Sequence, residues 1–308
     1  MIYIVVPCYN EEAVLHETTR QLKNVINTLP LPTRILYVDD GSKDRTWDII
    51  ASLSQEYKEV RGMRLAHNAG HQQALWAGME QVASEAEAII SIDADLQDDI
   101  DVIARMVQDY IQGTDVVYGV RENRSTDNFF KRWTAESFYR FMHALGCETV
   151  YNHADFRLLS KRALLALLAH TERNLFLRGM VPLLGLNTCK EFYARKERQA
   201  GETKYPLSKM LSLAVDGVTS FSVKPLRLIL ILGTLFILTA LGVILWALTE
   251  HIRGNTIQGW TSLLISLWFV GGCILLALGI TGEYIGKIYR EVKHRPLYFV
   301  MDEVGKEG

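Results

Sequence analysis

Cysteine is scarce and dispersed. Cys8, Cys147, Cys189 and Cys273 form no C-x-x-C pair and have no histidine at zinc spacing, which argues against a disulfide framework and a structural zinc site. A reducing, cytosolic setting fits. An excess of positive charge is also missing, since 33 Lys and Arg stand against 35 Asp and Glu for a net charge of −2. No global basic field points to nucleic acid. Neither G-x-G-x-x-G after a strand nor G-x-x-x-x-G-K-S/T occurs, so dinucleotide redox chemistry and a P-loop NTPase are unsupported. The opening MIYIVVPCYN lacks a basic segment and turns polar at Tyr9, so it reads as a first β-strand and not a signal peptide.

Charge is missing altogether from two long runs. Leu228 to Thr249 is uncharged over 22 residues, and a second uncharged run extends from Gly254 to Gly282. At ~1.5 Å rise per residue each covers the ~30 Å hydrocarbon core of a bilayer. Soluble cores rarely need two consecutive helices of this kind. Trp260 lies near one end of the second run and Tyr284 just past the other, as interfacial aromatics do. The outer flanks carry Lys204, Lys209, Lys224 and Arg227 on one side and Lys287, Arg290, Lys293 and Arg295 on the other, while the linker holds only Glu250 and Arg253 as charges. The expectation is a transmembrane hairpin, about 226–249 and 259–282, with both flanks cytoplasmic.

With 308 residues there is room for about two domains. Before the apolar runs, strand-like segments alternate with amphipathic helical ones: IYIVVP, a helix over Glu12–Leu29, RILYVDD, a helix near Arg45–Tyr57, GMRLA, a helix near Gln72–Ala83, AIISIDAD, a helix near Ile100–Ile111, and DVVYGVR. This order predicts an α/β fold, a mostly parallel sheet covered by helices. The expected organisation is a cytoplasmic unit over 1–205, an interfacial amphipathic helix over 206–224, two transmembrane helices within 225–290, and a cytoplasmic tail over 291–308.

Such sheets bind ligands at the carboxyl ends of their strands. There the polar motifs collect: PCYNEE, DDGSKD, HNAGHQ, DADLQDD and GVRENR follow the first five strands in turn. The fourth is the most unusual, with Asp93, Asp95, Asp98, Asp99 and Asp101 in nine positions. Mutually repelling carboxylates are tolerated on a solvated turn or around something positive. If a cation is bound, the hard oxygens of Asp93, Asp95 and the Gln97 amide suit Mg2+ or Mn2+ bridging the phosphates of a nucleotide. On a continuing strand, Asp93 and Asp95 would point to the same face.

These motifs, with STDNFFKR (125–132), ADFRLLS (154–160), ERNLF (172–176), ERQAGETKY (197–205) and GEYIGKIYRE (282–291), resemble the family 2 glycosyltransferases of GT-A fold. Within that family they are similar to the bactoprenol, or undecaprenyl phosphate, glucosyltransferases, and more distantly to the dolichyl-phosphate mannose synthases. The resemblance implies a GT-A nucleotide-sugar-binding domain and metal-dependent inverting transfer of a hexose, glucose first, from a UDP-sugar to undecaprenyl phosphate. It places Pro7, Tyr9, Glu11 and Asp39 around the uridine. Asn10, Asp40, Ser42, Asn68, Gly70, Asp93, Ala94 and Asp95 complete the donor site. Asp95 and Gln97 lie nearest the metal, and Asp155 takes the position of a candidate base. The family usually has proline where this chain has Asp99, a swap read as structurally neutral.

For the acceptor phosphate the resemblance singles out Arg121, Arg132 and Arg198, with Lys204 and Tyr205 adjacent. Arg124 and Lys131 add to the first basic group, and from Lys190 to Arg227 eight Lys and Arg outnumber four Asp and Glu. The stretches 206–222 and 128–145 carry apolar and basic residues interleaved at helical spacing, as interfacial helices do. A homo-oligomer, such as a tetramer, is also expected from relatives, as are a flippase and a second, extracytoplasmic glycosyltransferase acting downstream. A processive polysaccharide synthase fits less well, because its Q-x-x-R-W motif meets Phe129 ahead of Arg132 and Trp133. An inactive nucleotide-binding scaffold would not need the metal and diphosphate residues kept here.

Overall fold

The computed structural model describes residues 1–122, 153–194 and 259–305, with positions 226, 229, 231–235, 238, 239, 241, 242, 245, 246, 249 and 253 between them. The chain divides into two compact units. Described residues up to 194 and from 294 onward fall in the first, and those from 226 to 293 in the second.

The first unit is an eight-stranded sheet in the order β7-β5-β6-β4-β1-β2-β3-β8. Its strands are β1 (Ile2–Cys8), β2 (Thr33–Asp39), β3 (Val60–Leu65), β4 (Ala88–Ser91), β5 (Val116–Glu122), β6 (His153–Ser160), β7 (Thr188–Ala194) and β8 (Val300–Val304). The pairs β1/β2, β2/β3, β1/β4 and β5/β7 are parallel. The strands β6 and β8 run against their neighbours. This is an α/β sheet, mixed and mostly parallel. Every residue of β1 is buried, which explains its unbroken apolar run, since a central parallel strand is covered on both faces.

Helices α1 (Leu15–Ile26), α2 (Thr46–Glu56), α3 (His71–Val82) and α4 (Val102–Ile111) follow β1 to β4, close to the ranges expected from periodicity. The short α5 (Lys161–Leu168) and α6 (Leu177–Leu183) follow β6. On α1 the buried positions Leu15, Thr18, Thr19, Leu22, Val25 and Ile26 recur at helical spacing. On α3, a Cβ at Gly78 would come within 2.4 Å of Val5 Cγ1, so glycine there lets the helix lie close on β1.

Three sequence expectations change. First, ADFRLLS, which is not among the strand-like segments read from the alternation, forms most of β6, and β6 inserts between β4 and β5 antiparallel to both. Second, the strand read through Asp95 ends at Ser91. Ile92 N still donates to Val5 O, but Ala94 O leaves the ladder to accept from Thr18 Oγ1 at 2.8 Å. Asp93 and Asp95 therefore sit on a turn, with Leu96 at φ 58°, and not on one face of a strand. Third, the segment read as a tail contributes β8, which pairs with β3 from Gly62↔Val304 to Leu65↔Val300.

In the second unit α7 (Trp260–Val292) is one continuous helix of 33 residues. It runs past the end expected at 282. Among the described residues it is the one helix long and apolar enough to cross a membrane, over Phe269–Val292. Leu263, Leu267, Phe269, Leu275, Leu276, Leu278, Ile285 and Ile288 are exposed along it. Of the other expected span, about 226–249, 14 positions are described, and all of them are helical.

Candidate active site

Reversal of strand order between β1 and β4 opens a crevice at their carboxyl ends. On its β1 side, Pro7 is buried and Tyr9 is 41% exposed. Asn10, at φ 56°, donates its backbone N–H to Ser42 Oγ at 2.9 Å and accepts from Lys43 N at 2.9 Å. Glu11 N donates to Thr46 Oγ1 at 2.9 Å. Two strand-end loops are thereby stitched together, leaving the Tyr9 ring open to a ligand.

The β2 end is more enclosed. Asp39 is fully buried, accepts from Ser42 N at 3.1 Å through Oδ1, and has Arg64 Nε at 3.5 Å from Oδ2. Asp40 accepts from Ala69 N at 2.7 Å and Gly70 N at 3.0 Å, and so holds the loop that starts α3. Burial raises both carboxyls above their ordinary value. Gly41 follows them at φ +66°, and a Cβ there would meet the His67 carbonyl carbon at 2.7 Å. Only glycine suits that turn.

Across the crevice stands a charged network. Antiparallel pairing sets Ser91 opposite Arg157, which brings Asp155 beside Asp93 just past the end of β4. Arg157 Nη2 donates to Asp155 Oδ1 at 2.6 Å and Arg178 Nη2 to Oδ2 at 2.9 Å. His71 Nε2 lies 3.5 Å from Asp155 Oδ2 and 3.6 Å from Asp93 Oδ1. Gln72 joins in, its Nε2 3.5 Å from Asp155 Oδ2 and its Oε1 accepting from Leu177 N at 3.1 Å.

Burial alone would raise Asp155, but the His71 hydrogen bond and the Arg178 and Arg157 charges overcome it and hold the carboxyl well below its usual range. Burial would lower His71, yet the hydrogen bond to Asp155 and the Asp93 charge raise it above its ordinary value. Asp93 is pushed up to about 6 by burial, with Asp155, Asp98 and Asp95 adding repulsion that His71 partly offsets.

Residues 3–168 match the family model described as Glycosyl transferase family 2. The chain belongs to that family. Among its relatives is an uncharacterized glycosyltransferase, YkoT, of Bacillus subtilis (strain 168), 52% identical over 97% of this chain and 91% of that protein. The Bactoprenol glucosyl transferase of Shigella phage SfV is 37% identical over 99% of each chain. Among solved structures, a glucosyl-3-phosphoglycerate synthase of Mycobacterium tuberculosis superposes with a TM-score of 0.45 at 18% identity over 71% of this chain and 77% of that one, a likeness too slight to argue from.

In this family 2 chain the acidic turn is anchored at both ends. Thr18 holds Ala94 O, and Asp98, 2% exposed, accepts through Oδ1 from Tyr193 Oη at 2.6 Å and Arg121 Nη2 at 3.0 Å. Asp95 Oδ1 accepts from Gln97 N at 3.1 Å between the anchors. No group of three or more His, Cys, Asp or Glu converges at metal spacing among the described residues. The donor chemistry nevertheless fits a hard divalent cation. Asp98 Oδ2 is buried without a hydrogen-bond partner, and Asp93 is raised by burial first and then by the Asp155, Asp98 and Asp95 charges.

Of the expected donor residues, Pro7, Tyr9, Asn10, Glu11, Asp39, Asp40, Ser42, Asn68, Gly70, Asp93, Ala94, Asp95 and Gln97 are all at or beside this crevice edge. Asp40, Ser42 and Ala94 face inward as supports, while Asn68 is exposed. Asp99 lies upstream of α4 and accepts from Val102 N at 3.1 Å, in a turn before the helix. Arg121 is engaged with Asp98. Arg124, Lys131, Arg132, Arg198, Lys204 and Tyr205 lie outside the described residues, as do 128–145 and 206–222. Nothing in the sequence marks Arg178 or Tyr193, and Arg157 stands out only as part of ADFRLLS. A positional signal existed for His71, which sits in the third strand-end motif.

Proposed function

We propose that this chain is an inverting glycosyltransferase that moves a hexose, with glucose the first candidate, from a UDP-sugar to undecaprenyl phosphate at the cytoplasmic face of a membrane. The observation that carries this is the extent of the likeness to the phage SfV Bactoprenol glucosyl transferase. It covers 99% of both chains, and so continues beyond the family match at residue 168 through the segment holding α7.

Chain topology supports the two-span reading. The helix α7 lies between residue 194 and β8, yet β7 and β8 belong to one sheet. A chain that leaves a folded domain, enters a bilayer and returns to the same domain crosses an even number of times. One spanning helix therefore calls for a partner, and the uncharged run 228–249 is long enough to supply it. Both cationic flanks are then on the side of the sheet.

In the proposed reaction an oxygen of the lipid phosphate attacks the anomeric carbon from the face opposite the departing UDP, giving a β-linked product from an α-linked donor. A lipid phosphate with a second pKa near ~6 is already largely ionised at pH 7 and needs no base. Asp155, held ionised between two arginines, instead orients Arg178 and His71 at the crevice edge. Asp93, Asp95 and Gln97 would hold Mg2+ or Mn2+, which when bound neutralises the charge developing on UDP. Tyr9 would stack on the uridine, with Asp39 beneath it. Arg124, Lys131, Arg132, Arg198, Lys204 and Tyr205 remain the proposed acceptor contacts.

The lipid-linked sugar would then be flipped outward and passed to an extracytoplasmic transferase that decorates a surface polymer such as O-antigen or teichoic acid. A homo-oligomer belongs to the same proposal. The test is a panel of UDP-sugars offered with radiolabelled undecaprenyl phosphate in vesicles, with and without chelator. One UDP-hexose should label the lipid in a metal-dependent way. Binding of UDP with no transfer from any UDP-hexose would sink the proposal.

A further inference from the structure

We infer that Arg121 and Tyr193 serve the donor side of the site: by clamping Asp98 they fix the acidic turn that presents Asp95 and Gln97, and so act as positioning residues and not as acceptor contacts. This rests on the proposed transfer, in which that turn holds the cation and the diphosphate.

Arg121 and Tyr193 are register partners on the adjacent parallel strands β5 and β7. Register partners project to the same face of a sheet. From that face both reach one oxygen. Tyr193 Oη donates to Asp98 Oδ1 at 2.6 Å, and Arg121 Nη2 and Nε donate to it at 3.0 and 3.3 Å. The two donors also touch, Arg121 Nε lying 3.3 Å from Tyr193 Oη. The Tyr193 ring is held in turn, edge-on to Phe156 with centroids 5.6 Å apart. Phe156 lies between Asp155 and Arg157, so one β6 segment supports both the clamp and the charged network.

The turn needs such support. Leu96 occupies the left-handed region at φ 58°, which a branched side chain leaves unless its surroundings hold it there. One anchor is the Thr18 bond to Ala94 O, and the other is the buried Asp98. Between them lie Asp95, Leu96 and Gln97. Loss of the second anchor frees the half of the turn that carries Gln97. An arginine already neutralised by a buried carboxylate also has less charge to offer a lipid phosphate.

Tyr193→Phe keeps the ring on Phe156 and deletes only the hydroxyl. Hydrogen exchange at the amides of 94–99 reads the clamp without any substrate, and should speed up in Tyr193→Phe and more so in Arg121→Gln. With Mn2+ present, UDP affinity should fall about 3-fold to 10-fold in Tyr193→Phe and more than about 10-fold in Arg121→Gln. The KM for UDP-sugar should rise in step while the KM for undecaprenyl phosphate stays put. The double variant Arg121→Gln with Asp98→Asn should be no worse than Asp98→Asn alone. A rise of about 10-fold in acceptor KM with unchanged donor KM in Arg121→Gln would overturn the inference. So would unchanged exchange and UDP affinity in Tyr193→Phe, which tests the clamp even if Arg121→Gln does not fold. A wild-type protein that binds no UDP would sink the proposed function, and the exchange measurement would still decide the clamp.

Discussion

Asp155 and Arg157, on the same face of β6, meet at 2.6 Å with side chains only 7% and 0% exposed. Neither charge has water to fall back on. Removing one partner of such a pair leaves the other buried and uncompensated, a change that costs about 3–5 kcal/mol. Asp155→Asn should therefore lower thermal stability sharply in a melting experiment. The pH dependence follows from the direction of the shift. A carboxyl held below its unfolded value contributes stability above that value and loses it only in strong acid, so the wild-type contribution is flat from about pH 6 to about pH 9. The folded fraction of Asp155→Asn should still transfer sugar. An unimpaired melting point combined with inactivity up to about pH 9 would restore the base role.

Asp93 titrates on the other side of its ordinary value. Its folded state binds the proton more tightly than the unfolded chain does, so its contribution to stability declines as pH rises from the ordinary 3.8 through about 6. Affinity for Mn2+ and UDP should show the reverse trend and fall as pH drops through that range, since a protonated Asp93 offers no charge to a cation. His71 lowers Asp93, so His71→Gln should move the binding midpoint to higher pH. Calorimetry between about pH 5 and pH 8 checks the direction.

Asp95→Asn keeps the shape of the side chain and removes its charge from the proposed cation site. The rate of sugar transfer should fall at least ~100-fold with melting temperature little changed. Turnover near wild type, or full wild-type activity in excess chelator, would remove the cation from the mechanism.

Gly41→Ala places a methyl group 2.7 Å from the His67 carbonyl carbon at a φ of +66°. Both strain terms act together, and the variant should lose at least ~1 kcal/mol of stability. UDP affinity should drop with it, because the turn sets Asp39 and Asp40. A melting curve superposable on wild type would show that the loop relaxes freely.

Removal of residues 299–305 strips β8 from β3 and leaves Ala66 N without its bond to Phe299 O. A chain ending near Val223 suffers the same loss along with the long apolar helix α7. It should be less stable, by about 2 kcal/mol or more, than a chain in which 224–293 is replaced by a flexible linker that keeps β8. Equal urea midpoints for the two would contradict this.

The alternation of strands and helices through α4 was legible because each element buries one periodic face, as Leu15, Leu22 and Ile26 do on α1. Strand-end motifs were legible for the same reason, since parallel topology sends every loop of one kind to one edge. Partner choice was not. ADFRLLS reads equally well as a strand in many places, and nothing local tells it to slip between β4 and β5. The turn at Asp93 was misread as strand because Ile89, Ile90 and Ile92 continue the apolar run, while the deciding contact, Thr18 to Ala94 O, comes from a helix far back in the chain. Arg178 and Tyr193 act through residues remote in sequence, and a lone Arg or Tyr carries no sign of which carboxylate it will meet.

Because β3 precedes the long apolar helix in the chain and its antiparallel neighbour β8 follows it, the sheet stays open at one edge until that helix has been synthesised. On the proposed membrane topology, β8 would dock only after the apolar segment has entered the bilayer and the chain has returned. A protein stalled in insertion would then display an unpaired β3 edge to chaperones and proteases, and docking of β8 would report on completed membrane assembly. Pulse-chase proteolysis in cells should find the 1–298 chain degraded faster than the full chain at equal synthesis, and equal lifetimes would argue that the edge goes unread.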